Sequence, residues 1–203
     1  MEDVEAAPTR RTGEDRILTV PNLITVGRLA FLPAYVWLLA QDNLAAAAAL
    51  LAVLGATDWC DGYIARHFNQ VSNLGRLIDP TADRILFFVG IGGIIWVGGA
   101  PQWFSIIVLA REVIVAGITV TLLALGAKPV EVTWFGKAGT FALMFAFPLF
   151  LAGSSDIVGH EIFWALGWLA GLPGLVLSFY AWYRSLPVWR DALADARLAK
   201  EPA

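Results

Sequence analysis

Six apolar stretches occupy most of this chain: Leu23–Ala40, Leu44–Ile64, Leu77–Val97, Trp103–Leu125, Val132–Ala152 and Ile162–Tyr183. Each approaches or exceeds the roughly 20 residues that a helix needs to cross a bilayer. No other feature constrains the fold as strongly. The chain is 58% hydrophobic and 15% charged, whereas about a quarter of a soluble domain is charged. A domain of 203 residues cannot bury that much apolar surface in a globular core. In hydrocarbon the backbone must satisfy its own hydrogen bonds, which helices do. The expected fold is therefore all-α, an integral membrane bundle of six transmembrane helices.

The polar breaks are short: Gln41-Asp42-Asn43, Gly98-Gly99-Ala100-Pro101, Ala127-Lys128-Pro129 and Gly153-Ser154-Ser155-Asp156. Pro33, Pro148 and Pro173 fall within spans, which membrane helices tolerate. Three domain segments follow: residues 1–18 as a polar N-terminal arm, 19–185 as the membrane domain, and 186–203 as a tail. The arm lacks the apolar core and cleavage site of a signal peptide. The tail, with Trp189, Leu193 and Leu198 among charges, reads as a short amphipathic helix on the membrane surface. The first, third and fifth loops contain no Lys or Arg. Basic residues instead occupy the arm (Arg10, Arg11, Arg16), the second loop (Arg66, Arg76), the fourth (Lys128) and the tail (Arg190, Arg197, Lys200). By the positive-inside rule both termini face the cytosol, and only an even number of spans satisfies that. The expected location is the cytoplasmic membrane. The lone Cys60 excludes an internal disulfide, and no nucleic-acid partner is expected.

The second loop is bracketed by acids. Asp58-Trp-Cys-Asp61-Gly62-Tyr-Ile-Ala65-Arg66 ends one span, and Gly75-Arg-Leu-Ile-Asp79-Pro-Thr-Ala-Asp83 begins the next. Residues three or four apart share a helix face. Asp58 pairs with Asp61, Asp79 pairs with Asp83, and a tight antiparallel hairpin brings the pairs together. Four anions near hydrocarbon require neutralisation, because like charges oppose one another's ionisation and membrane charges cost several kcal/mol. Capping, or pairing with Arg66, Arg76 and Arg84, accounts for one or two of them but not for four on converging faces. Oxygen ligands without His or Cys suit Mg²⁺, Mn²⁺ or Ca²⁺ rather than zinc. Two ions would balance four carboxylates and leave capacity for a diphosphate. Gly62, Gly75 and Ala65 clear room beside the acids, and Arg66 suits phosphate.

Asp58, Asp61, Gly62, Ala65, Arg66, Gly75, Asp79 and Asp83 together match the signature of the CDP-alcohol phosphotransferases, D-x₂-D-G-x₂-A-R-x₈-G-x₃-D-x₃-D. Thr19-Val-Pro-Asn22-Leu-Ile-Thr25-Val-Gly-Arg28, Ala110-Arg111-Glu112 and Phe135-Gly136-Lys137-Ala-Gly-Thr140 resemble further helix motifs of members that make anionic phospholipids. The resemblance implies six membrane helices around a polar cavity open to the cytosol, often in a homodimer. It implies phosphatidyl transfer from CDP-diacylglycerol to an acceptor hydroxyl, with CMP released. Asp58, Asp61, Asp79 and Asp83 would hold Mg²⁺ or Mn²⁺, with two ions expected. Asp83 would also be the general base. Gly62, Ala65, Arg66 and Gly75 would receive the CDP-lipid.

Arg28, Arg111 and Lys137 are basic residues inside apolar spans and are candidates to bind the acceptor. The plainer readings are interfacial snorkelling for Arg28 and a structural pair with Glu112 for Arg111. Members that use glycerol-3-phosphate usually carry an arginine about two turns after the Arg-Glu pair, where this chain has Thr119. The stretch from Phe135 to Pro148 is more similar to bacterial members that form cardiolipin. Phosphatidylglycerol is therefore the expected acceptor, with glycerol-3-phosphate as the alternative. A divalent-cation transporter is a remote alternative, since the acids cluster at one end. Neither His67 nor His160 is expected to do chemistry.

Overall fold

The computed structural model describes the backbone of residues 20–67, 73–125 and 133–198, and side chains at 23–57, 82–125 and 133–191. Six helices make up these residues: α1 (Val20–Ala40), α2 (Leu44–His67), α3 (Asn73–Val97), α4 (Gln102–Ala124), α5 (Trp134–Gly153) and α6 (His160–Leu198). No strand occurs among the described residues. Four helices contain segments long and apolar enough to cross a membrane: Leu23–Ala40, Gln102–Ala124, Trp134–Gly153 and His160–Asp191. The described apolar part of α2 is Leu44–Thr57. Asp58, Asp61 and Arg66 occupy the last turns of α2, and Arg76, Asp79, Asp83 and Arg84 the first turns of α3.

The helix ends follow local chemistry. Asp42 takes up a left-handed conformation (φ 56°) after α1, and Gly98 does so after α3 (φ 68°). In both cases the following amide reaches back five residues, Asn43 N–H to the Leu38 carbonyl and Gly99 N–H to the Ile94 carbonyl. This is the Schellman closure that satisfies orphan carbonyls. The Asn43 side chain caps α2 by accepting from Ala46 N–H, and Thr133 caps α5 by accepting from Gly136 N–H.

Two boundaries differ from expectation. Asn73 and Leu74 belong to α3 rather than to the second loop. The tail is not a separate surface helix either: α6 runs unbroken through Pro187 to Leu198. Proline removes one backbone hydrogen bond, but Ala, Leu and Arg on its C-terminal side favour helix and carry it on.

Side-chain contacts set the alignment of the helices. Arg28, Tyr35 and Leu39 of α1 meet Asp83, Gly90 and Gly93 of α3, a nearly constant offset, so α1 and α3 run parallel. Leu51 on α2 packs against Gly90. The core consists of Leu32, Tyr35 and Leu39 with Leu51, Leu54, Ile91, Ile94, Phe104, Leu143, Phe147 and Phe150. It lies toward the Ala40/Leu44 end of α1 and α2, away from the aspartates. Phe104, Phe150 and Trp168 form edge-to-face pairs with centroids 5.2–5.7 Å apart. At the same end the Ser154 hydroxyl donates to the Gly99 carbonyl (3.0 Å), tying the third loop to the fifth. His160 contacts the Gly153 carbonyl through Nδ1 (3.3 Å).

Glycine lets α5 and α6 approach closely. A Cβ on Gly139 would stand 2.8 Å from the Ser178 backbone nitrogen and 3.0 Å from the Gly174 carbonyl oxygen. Neither obstacle is a movable side chain. Gly139→Val is therefore expected to destabilise the bundle by about 1–3 kcal/mol or more. The readout is a lower melting temperature of the detergent-purified protein. An unchanged melting curve would show that this seam tolerates separation.

Candidate active site

Asp83 is the one member of the acidic quartet whose side chain is described. It projects from α3, and its Oδ1 accepts a hydrogen bond from Arg28 Nη1 at 2.8 Å. The Arg28 side chain is only 1% exposed, while that of Asp83 is 46% exposed. Arg28 thus does not snorkel to the interface. The parallel register of α1 and α3 points it across the bundle at the acid. A guanidinium inside an apolar bundle is tolerable when a carboxylate meets it, and the pair also fixes the Asp83 rotamer. Thr25, fully buried, lies one turn before Arg28 on the same face of α1.

Asp83 lies at a chamber of about 160 Å³ between α2, α3 and α5. Leu51 and Gly55 line it from α2, Leu86, Phe87, Gly90 and Ile91 from α3, and Thr140, Met144, Phe147 and Pro148 from α5. Among the described residues Asp83 is its one charged group. In register, Asp58 follows Gly55 by one helical turn on α2, and Asp79 precedes Asp83 by one turn on α3. The side chains of Asp58, Asp61, Gly62, Ala65, Arg66, Gly75 and Asp79 lie outside the described residues. Among the described residues no three His, Cys, Asp or Glu side chains group together.

The other predicted basic residues are apart from this chamber. Arg111 on α4 donates from Nη1 to Glu112 Oε2 (2.7 Å) and from Nη2 to the Ser178 carbonyl of α6 (3.4 Å). The Arg111–Glu112 pair anticipated as the plainer reading is therefore present, and its arginine also links α4 to α6. Arg111 Nε and Trp182 Nε1 are buried donors with no hydrogen-bond partner among the described residues. The Thr119 hydroxyl turns back to the Val115 carbonyl (2.8 Å), so it closes on its own helix. Lys137 is exposed on the first turn of α5.

Two features of this site are not legible in the sequence. Arg28, an acceptor-binding candidate, is bonded to Asp83. The available signal was charge balance: four acids on two helices call for a cation from a third, and Arg28 is the buried one on α1. Thr140, Met144 and Phe147 line the chamber from α5, and no pattern in the sequence ties α5 to α2.

The model of the CDP-alcohol phosphatidyltransferase family matches residues 18–180 of this chain. The chain is 36% identical over 197 residues to a protein of Streptomyces coelicolor named cardiolipin synthase (CMP-forming), covering 94% of this chain and 86% of that one. It is 34% identical over 165 residues to a Rickettsia felis protein named CDP-diacylglycerol–glycerol-3-phosphate 3-phosphatidyltransferase, covering 76% of this chain and 91% of that one. The match spans α1 to α5 and most of α6, and it includes every position of the acidic signature. The chain is a multi-pass membrane protein that belongs to the CDP-alcohol phosphatidyltransferase family.

Proposed function

We propose that this enzyme transfers the phosphatidyl group of CDP-diacylglycerol to phosphatidylglycerol, forming cardiolipin and releasing CMP. The observation that carries the reading is Asp83: a half-exposed carboxylate, held by a buried arginine, at the only charged point of an apolar chamber among the described residues. A lipid phosphoester presents the matching division into polar head and apolar tail. The streptomycete relative supports phosphatidylglycerol as acceptor, since it matches over nearly the whole chain. Thr119 supports it too, because a hydroxyl closed on its own helix offers no cation to a small phosphate monoester. Glycerol-3-phosphate is the second reading, favoured by the name of the rickettsial relative.

In this reading all six helices span the cytoplasmic membrane, both termini and the acids face the cytosol, and the protein works as a homodimer. The distribution of Lys and Arg among the loops supports the orientation, and the family resemblance supports the dimer. Asp58, Asp61, Asp79 and Asp83 would hold Mg²⁺ or Mn²⁺, two ions by charge balance. An all-carboxylate donor set with no His or Cys suits such hard cations. Bound there, the cations would offset charge on the diphosphate as CMP departs. The chain's own residues do the rest. Gly62, Ala65 and Gly75 leave room for the nucleotide, and Arg66 binds phosphate. Asp83 takes the proton from the acceptor hydroxyl as oxygen attacks the phosphorus that carries diacylglycerol. Arg28 keeps that carboxylate oriented. Arg111, with an unspent Nε donor, and Lys137 are the cations available to an anionic acceptor.

The test is product identity. Purified enzyme supplied with CDP-diacylglycerol, Mg²⁺ or Mn²⁺, and both acceptors together is expected to yield cardiolipin and CMP, read by mass spectrometry. Phosphatidylglycerophosphate without cardiolipin would replace the first reading by the second.

A further inference from the structure

Unspent hydrogen-bond donors lie in the seam between α4 and α6. The two helices run parallel there: Phe104 abuts Gly171 and Arg111 reaches Ser178, a constant offset. Trp168 begins the face that α6 turns to α4. It stacks on Trp103 and meets Phe104 edge-on, with centroids 5.7 Å apart in both pairs. Fourteen residues later, close to four full turns, Trp182 returns to that face. Phe179 holds its indole edge-on at 5.8 Å. Trp182 lies two residues beyond the segment matched by the family model, and none of the sequence motifs quoted above includes it.

Arg111 enters the same seam from α4, with its side chain 10% exposed. Glu112 accepts from Nη1 and the Ser178 carbonyl from Nη2. That leaves Nε buried with no partner among the described residues. Trp182 Nε1 is the seam's second such donor, one helical turn beyond the carbonyl that Arg111 grips. Buried donors are rarely left unpaired, and two within one turn of a single seam call for an anionic oxygen acceptor. Their chemistry selects its kind. The guanidinium supplies a charge that Glu112 already partly balances. The indole N–H is a neutral donor. One cation and one neutral donor suit the two free oxygens of a phosphodiester monoanion. A phosphate monoester, with its second charge, calls for a second cation, and Thr119 offers none. The seam also lies at the depth of the reaction centre. A Cβ on Gly139 would stand 2.8 Å from the Ser178 backbone nitrogen, and the next residue, Thr140, lines the Asp83 chamber.

We propose that the indole N–H of Trp182 and Nε of Arg111 together hold the phosphodiester of the lipid acceptor, and that Trp182 is the residue that favours this monoanion over a phosphate monoester. The inference rests on the reading of phosphatidylglycerol as acceptor. No bond is made or broken at the seam. It holds the acceptor's phosphate while the headgroup hydroxyl reaches Asp83.

The experiment measures cardiolipin and CMP formed by the purified full-length enzyme from CDP-diacylglycerol as phosphatidylglycerol is varied. Trp182→Phe keeps a ring against Phe179 and deletes the N–H. It is expected to raise the KM for phosphatidylglycerol about tenfold, the scale of one hydrogen bond to a charged group. The kcat is expected to stay within about twofold of wild type, as for an interaction shared by ground and transition states. Glycerol-3-phosphate, followed as substrate or as competing inhibitor, is expected to shift by less than about twofold, so preference moves toward it. The melting temperature of the detergent-purified variant is expected to hold or rise, because the substitution removes a buried donor without a partner. Trp182→Leu carries the same prediction for KM if Trp182→Phe does not fold. An unchanged KM, whatever the melting temperature, or an equal rise for both acceptors overturns the inference and leaves the acceptor reading standing. An unchanged KM with weaker thermal stabilisation by added phosphatidylglycerol would make the seam the seat of a resident anionic lipid, and overturns it as well. A wild-type enzyme that forms phosphatidylglycerophosphate alone overturns both.

Discussion

Asp83→Asn is expected to lower CMP release by about a thousandfold, within the range that positioned general bases contribute. The amide is nearly isosteric, and its oxygen can still accept from Arg28 Nη1, so the 2.8 Å contact has a counterpart in the variant. What disappears is the capacity to take a proton, together with one negative charge beside the acids. Two readouts separate these losses. Loss of the base lowers single-turnover CMP release at saturating Mg²⁺ or Mn²⁺. Loss of a ligand charge raises the cation concentration needed for half-maximal activity. Both are expected. Donor binding, measured by displacement of labelled CDP-diacylglycerol, changes little, because Asp83 is one of four acids. Activity within tenfold of wild type would remove Asp83 from the proton transfer and return that role to Asp58, Asp61 or Asp79.

Arg28→Met has the second largest effect, about a hundredfold on kcat, and it also lowers stability. Breaking a fully buried ion pair costs about 3–5 kcal/mol. Asp83 is half exposed and screened by solvent, so about 2 kcal/mol is expected, read as a lower melting temperature. Arg28→Lys keeps the charge but loses the planar fork and retains activity within about tenfold. The informative comparison is a double-mutant cycle. If Arg28 acts by positioning Asp83, Arg28→Met adds little to Asp83→Asn. If Arg28 binds the acceptor, the two losses multiply, and Arg28→Met raises the acceptor KM even in the Asp83→Asn background. The geometry favours the first outcome: the arginine is 1% exposed and its Nη1 is on the carboxylate.

These two residues also illustrate how far sequence reaches in this family. Asp83 is legible as a site residue from spacing alone. The i, i+4 partner Asp79, the flanking Gly75 and the mirror pair Asp58/Asp61 confine it to one helix face near one end. Arg28 is legible only as an intramembrane cation. Its partner lies 55 residues away, and the choice between interface, acceptor and Asp83 depends on the rotation of α1 about its axis. The same holds for Arg111. Adjacency to Glu112 suggests the pair, but the bond to the Ser178 carbonyl needs α4 and α6 to be neighbours.

What the chain's linear order determines are properties carried by a single helix or hairpin. Helical character follows from apolar length, because hydrocarbon leaves the backbone no other donors or acceptors. The helix breaks follow from Asp42-Asn43 and Gly98-Gly99, whose conformations close the preceding turns. The shared faces of the acidic pairs follow from a 3.6-residue period, and the donor half of the chemistry is what the resemblance of the whole signature implies. Tertiary structure alone decides what depends on which helices touch. It assigns Arg28 to Asp83 through the parallel register of α1 and α3. It sets Met144 opposite Gly55 and forms a chamber that no local pattern announces. It also carries α6 through Pro187 as one element. Periodicity fixes which side of a helix is apolar, whereas the partner of that side is set by packing among six helices whose outer faces are similar in composition.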